Sequence, residues 1–443
     1  MKIFFLGLLL IGLNSSLLAQ DSTKTLSEAR DTASIKPNPL LYNYTSSSIT
    51  NVFNEDLREG ANNRITIDFD YAANSNSVPV GIAYSMIFKG AVSKSVKDRG
   101  TKRMKDQLRF EDFMKTGITY KRYLKKWDGF FYVSYHHRQM RNILAPKEAY
   151  QLAFYGNAMF ENDTIDLSNI RFQNFIYNQI AVGIKKKIDY GTYQMQFGAG
   201  LSLLQVINNQ DISTKDSWLY TAPDGEYIDV NYDLTFNNSK EGGTSFTDFN
   251  GIGGSGDFNL GFMNRDKWKL TLDVFDVGFM KFKKNPMNYN GTKMVHFQGI
   301  GIPDFTSFSS QTFDNLNLDS TAKANLPAKS SNEYTLFVPF SAQLAFSKPL
   351  LHNKLVLTGG LQYRHFSKYL IYGFVKANYF IKPDMVFSVT GGAGNYSLFN
   401  LGVEFSKSWK YFDFAVGTSN LIGLVAPSHY TGTGLYFRLG TSF

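Results

Sequence analysis

Thr433-Gly434-Leu435-Tyr436-Phe437-Arg438-Leu439-Gly440-Thr441-Ser442-Phe443 ends the chain, and its reading decides the fold. Side chains of a strand alternate between two faces. Leu435, Phe437, Leu439, Thr441 and Phe443 therefore share one face, and Tyr436, Arg438, Gly440 and Ser442 the other. The first face suits lipid and the second suits water.

A terminal strand of this kind, ending on an aromatic residue, resembles the segment by which the assembly machinery of bacterial outer-membrane barrels recognises its clients. Leu435, Phe437, Leu439 and Phe443 are thus expected to act in insertion and at the barrel seam. The rest of the chain has to fit that expectation. Export is its first requirement. Met1-Lys2, the apolar run Ile3 to Leu13 and a small residue at Ala19 read as a signal peptide over residues 1–19, with cleavage after Ala19. The apolar run is shorter than the roughly 20 residues of a membrane-spanning helix.

The chain of 443 residues has no cysteine, which excludes disulfides, thiolate metal sites, a cysteine nucleophile and a lipid-modified N-terminal cysteine. A mean hydropathy of −0.23 by itself suggests a water-soluble protein. Yet 16% of the residues are aromatic, with 39 Phe and 26 Tyr. A barrel wall reconciles the two, because only alternate residues meet lipid and aromatic girdles line both interfaces. The formal net charge of +9 suggests nucleic acid in a cytoplasmic protein. In an exported one, basic residues either solvate loops or meet the phosphates of outer-leaflet glycolipid.

Residues 20–62 carry no strand pattern and read as a periplasmic tail or a plug folded into the lumen. Leu40, Leu41, Tyr42, Val52, Phe53 and Leu57 favour partial insertion, since they would otherwise face water. Wall strands begin with Arg64 to Tyr71. Hairpins follow across short turns such as Lys126 to Gly129, Asp189 to Gly191, Asn264 to Lys267, Lys348-Pro349, Lys382 to Asp384 and Lys407 to Trp409. Longer connections separate these hairpins, the asymmetry of a barrel whose periplasmic turns are the short ones. With both termini periplasmic, this predicts an all-β transmembrane antiparallel barrel of about 14 strands, within 12–16, over residues 63–443. Val78 to Phe88 and Tyr227 to Phe236 are ambiguous, the latter fitting an extracellular hairpin. Lys94 to Asp106 reads as an exposed basic loop, Pro146 to Phe154 as a helix, and Lys283 to Ser331 as a polar connection.

Chemistry is sparse. Gly251, Gly253, Gly254 and Gly256 precede a strand, so they do not form a phosphate-binding loop. The six histidines form no metal motif. Ser367 near His365 is the weak ground for an exterior hydrolase, and the reading is of a non-enzyme without cofactor. Tyr132, His136 and Arg138 share an inward face, placed near the outer rim. Trp268, Leu270, Leu272 and Val274 share one parity, and Phe275, Val277 and Phe279 the other, which predicts a bulge or a strand leaving the wall near Asp276. Asp276 and Phe279 stand at this switch, which is either the plain end of a strand or, by resemblance to transporters of the fatty-acid type, a side passage to lipid.

Ala145-Pro146-Lys147-Glu148 running to Tyr155-Gly156-Asn157, Ile165-Asp166-Leu167-Ser168, Asp257-Phe258-Asn259-Leu260-Gly261-Phe262 and Asp276-Val277-Gly278-Phe279 together resemble an uncharacterised family. It is a family of outer-membrane barrels of gliding and type-IX-secreting bacteria, distantly similar to the long-chain fatty-acid transporters and to PorV. Phe282 stands where that pattern expects tryptophan. The resemblance implies passive passage of small hydrophobic molecules, or alternatively a non-transporting scaffold associated with type IX secretion or gliding. It implies outer-membrane lipids and glycolipid, the barrel assembly machinery and type IX secretion components as partners. It supplies no binding residue.

Overall fold

The structure, a computed structural model, describes residues 51–54, 60–82, 92–239, 245–264, 267–283, 286–297, 327–366 and 368–443. The expected signal peptide and most of residues 20–62, including Leu40, Leu41, Tyr42 and Leu57, lie outside them.

Fourteen antiparallel strands close on themselves. In chain order they are β1 Asn63–Ser75, β2 Gln107–Leu124, β3 Gly129–Pro146, β4 Arg171–Tyr190, β5 Tyr193–Thr221, β6 Gly251–Asn264 and β7 Lys269–Phe282. The second half comprises β8 Ser341–Leu350, β9 Leu355–Arg364, β10 Tyr372–Lys382, β11 Met385–Gly394, β12 Ser397–Ser408, β13 Phe412–Thr418 and β14 Gly432–Ser442. Each strand pairs with its sequence neighbours, and β1 pairs with β14 from Arg64 opposite Ser442 to Asn74 opposite Gly432. Closure satisfies the backbone of both end strands, which lipid could not do.

The alternation predicted for the terminal strand holds. Leu435, Phe437, Leu439 and Phe443 are exposed on the outer face, while Tyr436, Arg438 and Ser442 are buried in the lumen. The same pattern runs through β5, where Leu201 is 71% exposed beside buried Ser202. Such apolar surface would cost on the order of 1.5–3 kcal/mol per side chain in water, a penalty that lipid removes. Phe437 also stacks on Phe69 of β1 across the seam, at 5.6 Å. Phe443 donates its N–H to the Asn63 carbonyl and accepts from the N–H groups of Asn62 and Asn63. Phe443→Asp should reduce the amount of folded, heat-modifiable barrel in outer-membrane fractions several-fold; wild-type amounts would refute the reading of this strand as an insertion element.

Several connections differ from expectation. Lys94–Arg103 is a helix, α1, and no loop: Val96 packs beside buried Ile82, Met104 and Tyr150, and Gly100 lets the Tyr150 ring come close. Tyr150 belongs to helix α2, Lys147–Tyr155, which starts one residue later than predicted. Burial raises the Tyr150 hydroxyl pKa, helped by the nearby Tyr155 and Asp98. Residues 78–82 form no strand, and residues 83–91 lie outside the described ones. Ile228–Asn238 is the expected outer strand, paired with the distal part of β5. Its other edge carries Met287–Phe297, a strand within the segment read as a polar connection. The chain before the turn at residues 351–354 forms two separate pieces, Tyr334–Phe337 and β8.

Candidate functional site

Lumen-facing positions are polar and charged, and most of the charge is neutralised internally. The Arg64 guanidinium donates to both carboxylate oxygens of Asp413, at 2.7 and 2.8 Å, and to the Ser442 hydroxyl at 3.1 Å. Gly440 makes this fit possible, since a Cβ there would lie 2.2 Å from the guanidinium. Lys376 and the Tyr436 hydroxyl both donate to Glu404. Asp68 on β1 lies 3.5 Å from the Lys115 ammonium and 3.6 Å from His136. A charge is costly to bury unless it is paired, and these pairs fill much of the lumen.

Residues 51–54 are packed inside the lumen, with Val52 and Phe53 buried. They form a turn in which Asn54 donates to the Asn51 carbonyl. Phe53, 1% exposed, stacks on Phe275 at 5.8 Å and meets the edge of Tyr132 at 5.6 Å. Gly198 makes room for this ring, because a Cβ would come within 2.5 Å of it. The backbone is held as well: Lys185 donates to the Phe53 carbonyl at 2.7 Å and Lys121 to that of Asn54 at 3.0 Å.

Above the plug lies a cavity with about 40 Å³ of clear room, enough for about three waters. Strands β2, β3 and β4 supply Phe113, Lys115, Tyr132, Ser134, His136, Arg138, Met140, Gln179 and Ala181 to its lining. Asp257 of β6, Phe275 and Asp276 of β7, and Pro339, Ser341 and Arg364 line the opposite side, with Val52 of the plug below. Arg364 lies 4.8 Å over the Phe113 ring and 3.7 Å from Glu111.

This opposite side is where the wall is interrupted. β7 pairs with β8 as far as Phe275 opposite Ser341, and with Tyr334–Phe337 only from Phe279 onward. Between them, Val338 donates to the Gly278 carbonyl, but Pro339 has no N–H to give, and the Phe340 carbonyl instead accepts from His365 on the far side. The other flank of β7 is irregular at the same level, with a register shift at Gly256 and Phe258 that leaves Asp257 unpaired in the ladder. Asp276 has φ +65°, a left-handed conformation that a non-glycine residue holds only when its surroundings enforce it. Those surroundings are visible: Arg138 and Gln179 donate to its carboxylate, and its own N–H donates to Asp257.

Of the residues singled out in the sequence, Tyr132, His136, Arg138 and Asp276 therefore meet around one cavity. They lie at mid-lumen or below, and not near the outer rim, because β3 starts from the periplasmic turn only three residues before Tyr132. Phe279 is 57% exposed on the outer face and lines nothing. The positive φ at Asp276 turns both Phe275 and Asp276 inward, so Val277 and Phe279 return to the lipid side. The expected bulge is present, but β7 itself stays in the wall; its neighbour leaves. Phe53, Lys115, Gln179, Asp257 and Arg364 went unread as site residues, although Phe53 was placed in the plug and Asp257 opens one of the resemblance motifs. Ser367 lies outside the described residues, and His365 stacks on Phe340 at 4.9 Å.

A closed antiparallel barrel with an apolar outer belt and a polar lumen is an outer-membrane β-barrel, and this chain is one. Residues 62–419 match the family of unknown function DUF5723, and the chain belongs to that family. No curated protein matches it. Among solved structures it is similar to a deltaS2S3 mutant of TodX, a monoaromatic hydrocarbon channel, with 9% identity over 90% of this chain and 96% of that one and a TM-score of 0.45. TodX is the toluene transporter of Pseudomonas putida. The Ralstonia pickettii toluene transporter TbuX gives 7% identity over 87% and 90%, with a TM-score of 0.44. A Pseudomonas aeruginosa FadL homologue gives 8% over 86% and 90%, with a TM-score of 0.39.

Proposed function

We propose that this barrel passes small hydrophobic molecules across the outer membrane by diffusion, through the lumen cavity and the interruption of the wall beside Asp276. The observation that carries this reading is the coincidence of the two: the cavity lined by Phe275, Asp276 and Pro339 lies behind the one stretch where β7 lacks regular pairing on both flanks. A cargo larger than a few waters has to displace side chains. Met140, Phe113 and Phe275 offer apolar contact for it, while Arg138, Gln179 and Asp257 favour a molecule that also carries a hydrogen-bonding group.

Deleting Asp276 restores strict alternation, because Val274, Val277 and Phe279 then share the outer face. Combined with Arg138→Gln, which leaves no guanidinium without its carboxylate, the deletion should bring uptake of a hydrophobic fluorescent dye into vesicles holding the barrel down to the level of empty vesicles. Unchanged uptake would overturn the side passage.

A second reading is a non-transporting scaffold that serves type IX secretion or gliding. The buried ion pairs Arg64–Asp413 and Lys376–Glu404, which take up lumen space, favour a wall that passes nothing. Mass spectrometry of molecules retained by the purified barrel separates the two, since a scaffold retains only wall lipid.

A further inference from the structure

The two ends of the barrel carry charge differently. The long outer connections mix signs and pair them, as Lys281 does with Glu333 at 2.8 Å. Four of the six short turns, by contrast, carry or adjoin a lysine, Lys126, Lys267, Lys382 and Lys410, and the other two have one in the strand end that leads into them, Lys186 in β4 and Lys348 in β8. Among the described residues none of these six meets a carboxylate within ion-pair distance. Two acids of this end are engaged elsewhere, Asp128 accepting from the Tyr123 hydroxyl and Asp189 from Gln194 at 2.9 Å, and a third, Asp384, stands in the turn beside Lys382.

The same turns concentrate amphipathic rings. Three of the four tryptophans of the chain, Trp127, Trp268 and Trp409, sit there. Tyr190 and Tyr411 are 76% and 59% exposed. Two lysine ammonium groups lie over such rings, Lys407 at 5.5 Å from Trp409 and Lys410 at 5.0 Å from Tyr411. Tryptophan and tyrosine sit at headgroup depth in a bilayer, so the lysines beside them reach the phosphate level of the inner leaflet.

We propose that this rim is a binding ring for anionic phospholipid headgroups of the phosphatidylglycerol class in the periplasmic leaflet. Basic groups at a membrane surface draw anionic lipid toward them, and here the ring determines which lipids surround the barrel. A docked acidic protein fits less well: it would cover one arc, whereas the lysines are spread over the turns and strand ends of the whole rim, at the depth of the aromatic belt.

The test uses the full-length barrel in phosphatidylcholine bilayers that contain spin-labelled phosphatidylglycerol or spin-labelled phosphatidylcholine, and measures the fraction of each held at the wall. Phosphatidylglycerol should associate about threefold more strongly, and the preference should disappear in about 0.5 M NaCl, where the screening length is only a few ångström. Replacing the six lysines by glutamine should abolish the preference, and replacing Lys94, Lys102 and Arg103 of α1 should leave it intact. Equal association of the two lipids, or a preference that survives the six substitutions or high salt, overturns the proposal. If the sixfold variant fails to fold, as judged by heat-modifiable migration, the salt dependence of the wild type decides the matter.

Discussion

Arg64→Ala is expected to destabilise the folded barrel by about 3–5 kcal/mol, the usual result of removing one partner from a buried ion pair. The loss follows from what remains. Asp413, 2% exposed, would be left among β1, β13 and β14 without the guanidinium that donates to both of its oxygens. The space above Gly440 would stand empty as well. Urea unfolding in lipid vesicles, followed by tryptophan fluorescence, measures the effect. Replacing both partners with apolar residues, Arg64→Met with Asp413→Leu, should recover most of it, because the stranded charge rather than the missing pair dominates the penalty. A single-variant loss below about 1 kcal/mol would mean that water reaches Asp413 in the folded state.

Phe53→Ala is expected to open the lumen without unfolding the wall. Truncating a buried phenylalanine removes on the order of 3–5 kcal/mol of packing. Here that loss falls on the 51–54 turn, whose remaining ties include the carbonyl bonds from Lys185 and Lys121. The strand ladders do not depend on it, so the urea midpoint should change little while uptake of a hydrophobic dye rises several-fold. Gly198→Val should do the same from the other side, since its Cβ would displace the Phe53 ring. If both variants leave uptake unchanged, residues 51–54 are no barrier to passage.

The sequence shows the wall plainly wherever lipid forces alternation, as at Leu435 to Phe443 and Tyr193 to Leu203, because a one-residue slip there would turn every apolar side chain inward. It is also informative at Val274 to Phe279, where the change of parity points to irregularity. It cannot say which residue absorbs the irregularity. The left-handed Asp276 is a backbone state held by Arg138 and Gln179 from strands more than ninety residues away. Pro339 was the readable sign of the break, masked by the good alternation on either side of it. Helix α1 escaped detection for a different reason: its polar composition gives it no intrinsic apolar stripe, and it is helical because Val96 and Gly100 pack against Tyr150 and its neighbours. Phe53 reads in the sequence as part of a tail or a plug, and its seat against Gly198 depends on two strands meeting it in space.

The seam between β1 and β14 also fixes the order of events in time. Arg64 and Asp413 are separated by 349 residues, and the ladder from Arg64 to Ser442 spans still more. Contacts between such distant parts of a chain form late, since the ends must first be brought together. Until Phe443 has been delivered, both β1 and the last strand made present bare edges that invite pairing with other chains. A chain shortened at its C-terminus is therefore expected to remain an open, aggregation-prone sheet whatever the stability of the strands already formed.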